Sequence, residues 1–420
     1  MGARARLLLL LPSTTYRAAA FVEAARRLDV DLTVASDHRS VFAAQQPERL
    51  VTLDFGSLGR AAEQAAAFAA RHPVAAVCGV DDDTVILAAA IAEELGLPHN
   101  PLEATVAARD KHRQRVLLGA AGVPVPAFDL HRLDEDPAAV SRSAAYPCVL
   151  KPLCLSASRG VMRADSPAEF VAAHRVLAEI LGEAEVARRG EESRRYLVES
   201  FVAGPEVALE GLLDRGRLEV LALFDKPDPL DGPLFEETIY VTPSRLSAAA
   251  QQSLAACAER AALAVGLESG PVHVELRHNA EGPWLIELGA RPIGGRCSQV
   301  LRFGRGPAAM SLEEILLRHA LGLPVPTYER EPEAAGVMML PVPGAGVLRA
   351  VRGVEAARSV AGVEDVVITA HPGQTLVPLP RGAQYPGFIF ARGGTPAAVE
   401  ASLRRAHACL AFDLAGERSN

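Results

Sequence analysis

A chain of 420 residues with 49% hydrophobic content has material for a large core and favours more than one domain. Its net charge of −8 gives no support for a nucleic-acid or membrane-surface partner. The six cysteines form no CxxC pair and lack zinc-site spacing, and no apolar run approaches transmembrane length, so a reduced, cytoplasmic protein is expected.

The Leu7–Leu11 run is too short for a signal-peptide core and ends at Pro12-Ser13-Thr14-Thr15, as a buried strand does on entering a loop. An Ala-rich helix over Tyr16–Leu28 follows, then short strands at Leu32–Ala35 and Val51–Leu53. A helix over Leu58–Arg71, a strand at Val74–Val80 and a helix over Thr84–Leu95 complete the pattern. This alternation predicts an open parallel α/β sheet within residues 1–104. No GxGxxG follows the first strand, so the dinucleotide fingerprint is absent. Asp81-Asp82-Asp83 directly follows a strand, where it caps the next helix or faces a crevice at the carboxyl edge of the sheet.

Residues 105–195 read as a smaller mixed unit. It has a helix over Thr105–Ala121 carrying Arg109-Asp110-Lys111, a strand Cys148–Pro152, a small-residue loop from Leu155 to Val161 and a helix Pro167–Leu181. Strands dominate residues 196–325, at Tyr196–Phe201, Val207–Leu213, Leu218–Lys226 and Phe235–Val241, with helices at Ala248–Val265 and Ser311–Leu321. After a Pro-rich linker, Leu323–Pro332, residues 333–420 read as a small α+β unit. Its strands are Gly336–Pro341, Val363–Thr369 and Gly387–Ala391, with helices Val354–Val360 and Pro396–Cys409. The fold class is therefore α/β joined to α+β.

The chemistry concentrates at VHVELRHNAEGPWLIELGARPIGG, Val272 to Gly295. Two apolar-alternating strands flank a turn at Asn279–Gly282 and carry Glu275 and Glu287. A carboxylate in such a run must be paired or metal-bound. Two hard oxygen ligands beside Arg291 suit Mg²⁺ held against a nucleoside triphosphate, which points to phosphoryl chemistry on ATP. Lys151 ends an apolar strand, where its ammonium is costly unless it meets an anion. Lys111 alone reads as a surface lysine; together the two could grip phosphates as point charges. The Ser156-Ala157-Ser158-Arg159-Gly160 loop offers hydroxyls and amides of the kind that fold over phosphates. Glu199 to Val202, then Gly204-Pro205-Glu206, reads as a strand, a bend and a second strand; a bend can pair with an adenine edge, and a plain hairpin fits as well.

The ordered succession RDK, VLKP, SASRGV, VESFVAGPEVALEG, LFDKP, FEETIYVTPS, HVEL and IELGARPIGG resembles the ATP-grasp superfamily. Within it, the chain is similar to the carboxylate–amine ligases that include bacterial L-amino-acid ligases. The resemblance covers Thr105 to Leu321, and the tail beyond Ala335 resembles their C-terminal domain. It implies an ATP-grasp fold: residues 1–104 as the N-terminal α/β domain, 105–195 as a lid subdomain, 196–325 as the catalytic subdomain and 333–420 as a C-terminal α+β domain.

The resemblance also implies roles. Lys111 and Lys151 would contact the phosphates, Ser156, Ser158 and Gly160 would form the lid, Glu199 and the Val202 backbone would meet adenine, and Glu206 would bind ribose. Glu275 and Glu287 would hold Mg²⁺, with Mn²⁺ as a substitute, and Arg291 would act with Lys151 on the transferring phosphoryl. Lys226 and Glu237 would lie near the phosphate and substrate end, and Gly294-Gly295 would approach a substrate carboxylate. Two positions depart from the family pattern: Gly289 stands where Asn is usual, and Ala157 stands between the lid serines where Gly is usual.

The implied activity is ATP-dependent joining of a small-molecule carboxylate, such as an amino acid, to an amine through an acyl phosphate, with ADP and phosphate released. The alternatives are a biotin-carboxylase-like or purine-type ligase and a non-catalytic ATP-binding module. Homodimers are common in such families. His273, Tyr240 and Arg296 are further candidates for the acceptor pocket, although a core histidine satisfied by a backbone carbonyl is the plainer reading of His273.

Overall fold

The computed structural model describes residues 4–13 and 15–416; Thr14 of the loop after the first strand lies outside the described residues. The N-terminal strands Leu50–Thr52, Asp31–Ser36, Arg6–Leu10 and Ala76–Gly79 lie in that order, all parallel. Leu7 and Leu9 pack with Phe21, while Leu8 and Leu10 pack with Leu87 and Ile91. A strand covered on both faces reads as a continuous apolar run, which explains Leu7–Leu11.

The second unit is a four-stranded sheet in the order Phe128–Arg132, Arg195–Ser200, Cys148–Pro152 and Met162–Ala164, backed by the helix Pro167–Leu181. The expected single helix over Thr105–Ala121 is two helices, Leu102–Arg109 and Lys111–Ala120. Asp110 breaks it: its backbone is extended and its carboxylate accepts the Arg113 amide at 3.0 Å. This N-cap makes Lys111 the first residue of a new helix and aims it at the centre of the molecule.

The central sheet has eight strands. Their order is Gly282–Gly289, Gly270–Asn279, Glu206–Asp214, Arg217–Asp225, Ile239–Thr242, Ala334–Met339, Gly387–Gly393 and Val363–Ile368. The tail is therefore not a separate layer. Its strand Ala334–Met339 pairs antiparallel with Ile239–Thr242, so the Pro-rich linker joins two stretches of one sheet. The edge of Ile239–Thr242 would otherwise present unpaired backbone groups on apolar residues. A small fourth sheet, Thr375–Leu376, Gly346–Arg352 and Ala411–Ala415, consists of three strands that the sequence pattern did not reveal.

Candidate functional site

The strand Gly270–Asn279 places His273, Glu275 and Arg277 at alternate positions, hence on one face. On one side they oppose Glu210, Ala208 and Glu206. On the other, Gly289 opposes His273 and Glu287 opposes Glu275. Directly opposed residues have Cβ atoms about 5 Å apart, so the two expected metal carboxylates are neighbours.

Each carboxylate meets different cations. Lys111 and Lys151 converge on Glu287, with Nζ–Oε distances of 3.2 and 3.0 Å. Lys111 also donates to the Leu155 carbonyl at the start of the small-residue loop, at 3.1 Å. Burial opposes the charge of Glu287, but the two lysines outweigh it and hold its carboxyl below the usual range. Lys226 lies deeper, with its ammonium 2.8 Å from Glu206, 2.7 Å from Glu237 and 3.2 Å from Glu275. Burial disfavours the Glu275 charge too, yet Lys226 and His273 keep it ionised. Glu237 goes the other way: burial and the Glu275 charge outweigh Lys226 and push it up to about 7.

The cavity between these strands and the sheet that contains Cys148–Pro152 has a volume of about 480 Å³. All the expected site residues line it except Gly160, Lys226 and Arg296. The Gly160 amide is engaged by the Pro380 carbonyl at 2.9 Å. The Lys226 ammonium, expected near the phosphate and substrate end, lies against three acids, Glu206, Glu237 and Glu275. Several lining groups are also tied elsewhere. Glu199 is gripped by the buried Arg115 at 2.7 Å. The Val202 carbonyl accepts from Arg277 at 2.6 Å, and Glu206 is held by both Arg277 and Lys226. His273 does not satisfy itself on a carbonyl: it lies 3.6 Å from Glu275 and 3.8 Å from Glu210, and burial keeps its imidazole neutral.

Residues from outside the expected site complete the walls. Asp81 caps the helix Asp82–Glu94 through a capping box with Thr84, while its neighbour Asp82 binds Arg291 at 3.0 Å. Both readings of the acidic triplet therefore hold. A Cβ at Gly289 would come within 3.3 Å of Asp82 Oδ1, so the space of the usual Asn is partly taken by an acid from the N-terminal unit. Arg17, at the carboxyl edge of the parallel sheet, donates to the Pro292 carbonyl at 3.2 Å and to the Ile293 carbonyl. The Ile293 amide donates to Glu210 at 2.9 Å. The bend before Gly294-Gly295 is thus held from both sides. Tyr385 and Phe388 reach the cavity from the tail. Ala157 and Ser158 have φ of 52° and 56°, a left-handed conformation that the usual Gly takes at lower cost.

A divalent cation suits this donor set. Glu206, Glu237 and Glu275 each offer an oxygen within 4.8 Å of one another, and Glu287 is the cross-strand partner of Glu275. Three carboxylates share one ammonium, and burial with the Glu275 charge raises Glu237; a divalent cation there would favour its ionised form. Among the described residues, no helix is long and apolar enough to cross a membrane.

Three family models match the chain: an ATP-grasp N-terminal domain over residues 22–99, an ATP-grasp domain over 144–300, and the L-amino acid ligase C-terminal domain 2 over 338–415. An uncharacterized protein, y4rH, of Sinorhizobium fredii is 26% identical over 89% of this chain and 75% of its own length. Carnosine synthase 1 of Mus musculus is 31% identical over 65% of this chain, which spans only 35% of that protein. The crystal structure of an L-amino acid ligase from Bacillus licheniformis superposes with a TM-score of 0.79 at 25% identity, covering 99% of this chain and 100% of that one. The chain belongs to the ATP-grasp superfamily and carries the C-terminal domain of its L-amino acid ligases.

Proposed function

We propose that the protein joins the carboxylate of an amino acid to the amine of a second one at the expense of ATP, giving an amide, ADP and phosphate. The observation that carries this reading is the convergence of Lys111 and Lys151 on Glu287 beside Glu275, within a cavity that Arg291 also lines. The solved L-amino acid ligase and the carnosine synthase support the substrate class by their names. We assign the work to residues 105–195 as lid, 196–325 as catalytic unit, and 1–104 and 333–420 as flanking walls.

The donor carboxylate oxygen attacks the γ-phosphorus, the bond to ADP breaks and an acyl phosphate forms. The amine, after losing a proton, attacks the acyl carbon, and phosphate leaves. Lys111 and Lys151 exchange Glu287 for phosphate oxygens and neutralise the charge that spreads over them. Arg291, oriented by Asp82, faces the phosphoryl in flight and the oxyanion that follows. Ser156 and Ser158 close over the phosphates and keep water from the acyl phosphate. Mg²⁺, for which Mn²⁺ can substitute, would sit at Glu275 and Glu287 and supply Lewis-acid polarisation of the phosphoryl oxygens.

The test is an ADP-release screen over pairs of amino acids. ADP formation should need both partners, and Glu287→Gln should lower it on the order of 100-fold or more. Undiminished turnover in that variant would remove Glu287 from the chemistry.

A further inference from the structure

Most carboxylates around the cavity are committed. Arg115 grips Glu199, Arg277 and Lys226 hold Glu206, and Lys226 with the Tyr240 hydroxyl holds Glu237. Lys111 and Lys151 hold Glu287, Lys226 holds Glu275, and the Asp81 carboxylate caps its helix. Asp82 is different. Its Oδ2 accepts from Arg291 Nε at 3.0 Å, and among the described residues its Oδ1 has no hydrogen-bond partner. The side chain is 34% exposed, and Asp82, Gly289 and Arg291 all line the cavity. Oδ1 lies where a Cβ on Gly289 would come within 3.3 Å of it. Gly289 stands two residues beyond Glu287 on one strand, hence on the same face. The free oxygen is therefore on the side of that strand that carries Glu287. Arg291 spends Nε on Asp82 and Nη1 on the Pro292 carbonyl, which leaves Nη2 without a hydrogen-bond partner among the described residues.

We infer that Asp82 binds the α-ammonium group of the carboxylate-donating substrate through Oδ1, and so makes the protein select α-amino acids over des-amino carboxylates as donors. The inference rests on the ligase reading, in which Arg291 faces the donor carboxyl as the phosphoryl arrives. In an α-amino acid the ammonium sits on the carbon next to that carboxyl. A carboxylate fixed on the same guanidinium offers the opposite charge at the matching spacing, since charge-assisted hydrogen bonds run to about 2.8 Å on either side. The donor amine must also stay out of the reaction, and an ammonium held by an acid has no lone pair with which to attack the acyl phosphate. Gly289 contributes by lacking a side chain, because any Cβ there would crowd Oδ1.

Hydroxylamine attacks an acyl phosphate to give a hydroxamate and phosphate, so the donor can be read without an acceptor. The experiment compares alanine, leucine and phenylalanine with propionate, isocaproate and hydrocinnamate, at saturating ATP, Mg²⁺ and hydroxylamine. The wild type should show kcat/KM roughly 10- to 100-fold higher for the best amino acid than for its des-amino counterpart. Asp82→Asn should bring that ratio close to one, chiefly by raising the KM of the amino acid. Gly289→Ala, which changes no charge, should lower the ratio several-fold. Equal use of both donors by the wild type, or an equal loss of both in Asp82→Asn with the ratio unmoved in Gly289→Ala, would overturn the assignment; the second result leaves Asp82 as a positioning residue for Arg291. If no donor yields hydroxamate or ADP, the ligase reading fails separately. Asp82 is then read by thermal shift in ATP and Mg²⁺: a rise in melting temperature with the amino acids but not the des-amino acids, lost in Asp82→Asn, supports it, and its absence overturns it.

Discussion

Glu210 shows how one side chain can serve the site without touching a substrate. It is fully buried, one oxygen accepts the Ile293 amide, and the other has no partner. Burial outweighs the nearby Arg17 charge and raises its carboxyl well above the usual range. The folded chain therefore holds a proton that the unfolded chain releases above about pH 4.5. Stability falls as pH rises from there to the folded pKa, by at most about 1.4 kcal/mol per pH unit. Glu210→Gln keeps an acceptor for Ile293 and removes that slope, so its stability relative to the wild type should grow between pH 5 and 8 in urea titrations. A constant difference across that range would mean that Glu210 is ionised. The logic that singled out Glu275 and Glu287, a carboxylate within an apolar alternation, also applies to Glu210 and to Arg277, which sits two residues beyond Glu275. Local pattern singled out Lys151, whereas Lys226 was expected only from the resemblance. Both are lysines at apolar strand ends, and only the opposing strands decide whether such an ammonium meets one carboxylate, as Lys151 does, or three, as Lys226 does.

Among the elements, the small-residue loop is held from the tail. The Gly160 amide donates to the Pro380 carbonyl, Arg159 Nε donates to the Arg381 carbonyl at 2.7 Å, and Arg381 pairs with Glu179 on the helix behind the lid. Arg159 also pairs with Glu183 at 2.5 Å. Opening the lid must break these contacts, so the tail sets part of the cost of opening. Arg159→Leu should raise ADP release without amide formation by several-fold, because water then reaches the acyl phosphate. An ADP-to-amide ratio unchanged from the wild type would exclude the clasp as a water barrier. This contact could not be read from local pattern, because its partners are more than 200 positions apart in the chain, 159 and 381. The helix break at Asp110 was within reach, since Asp followed by helix formers is an N-cap signature. The stretch from Arg109 to Arg115 holds no Gly or Pro, and that concealed the break.

For the molecule as a whole, the alternation of strands and helices and the ordered motifs were enough to place the fold. They could not show that the tail enters the central sheet, because a Pro-rich linker looks alike whether it joins domains or strands of one sheet. A chain ended at residue 333 would strip the edge of Ile239–Thr242, where Ile239 and Val241 are almost wholly buried. Such a fragment should elute as aggregate on size exclusion, whereas a monodisperse, folded fragment would show that the tail is dispensable. The ladder from Tyr240 to Val337 has a further implication for descent. Relatives that diverge in this region cannot exchange their last eighty or so positions as a ready-made cassette. Any recombinant must reproduce the same hydrogen-bonded seam, so the rim supplied by Tyr385 and Phe388 is inherited together with the strands that carry Glu275 and Glu287.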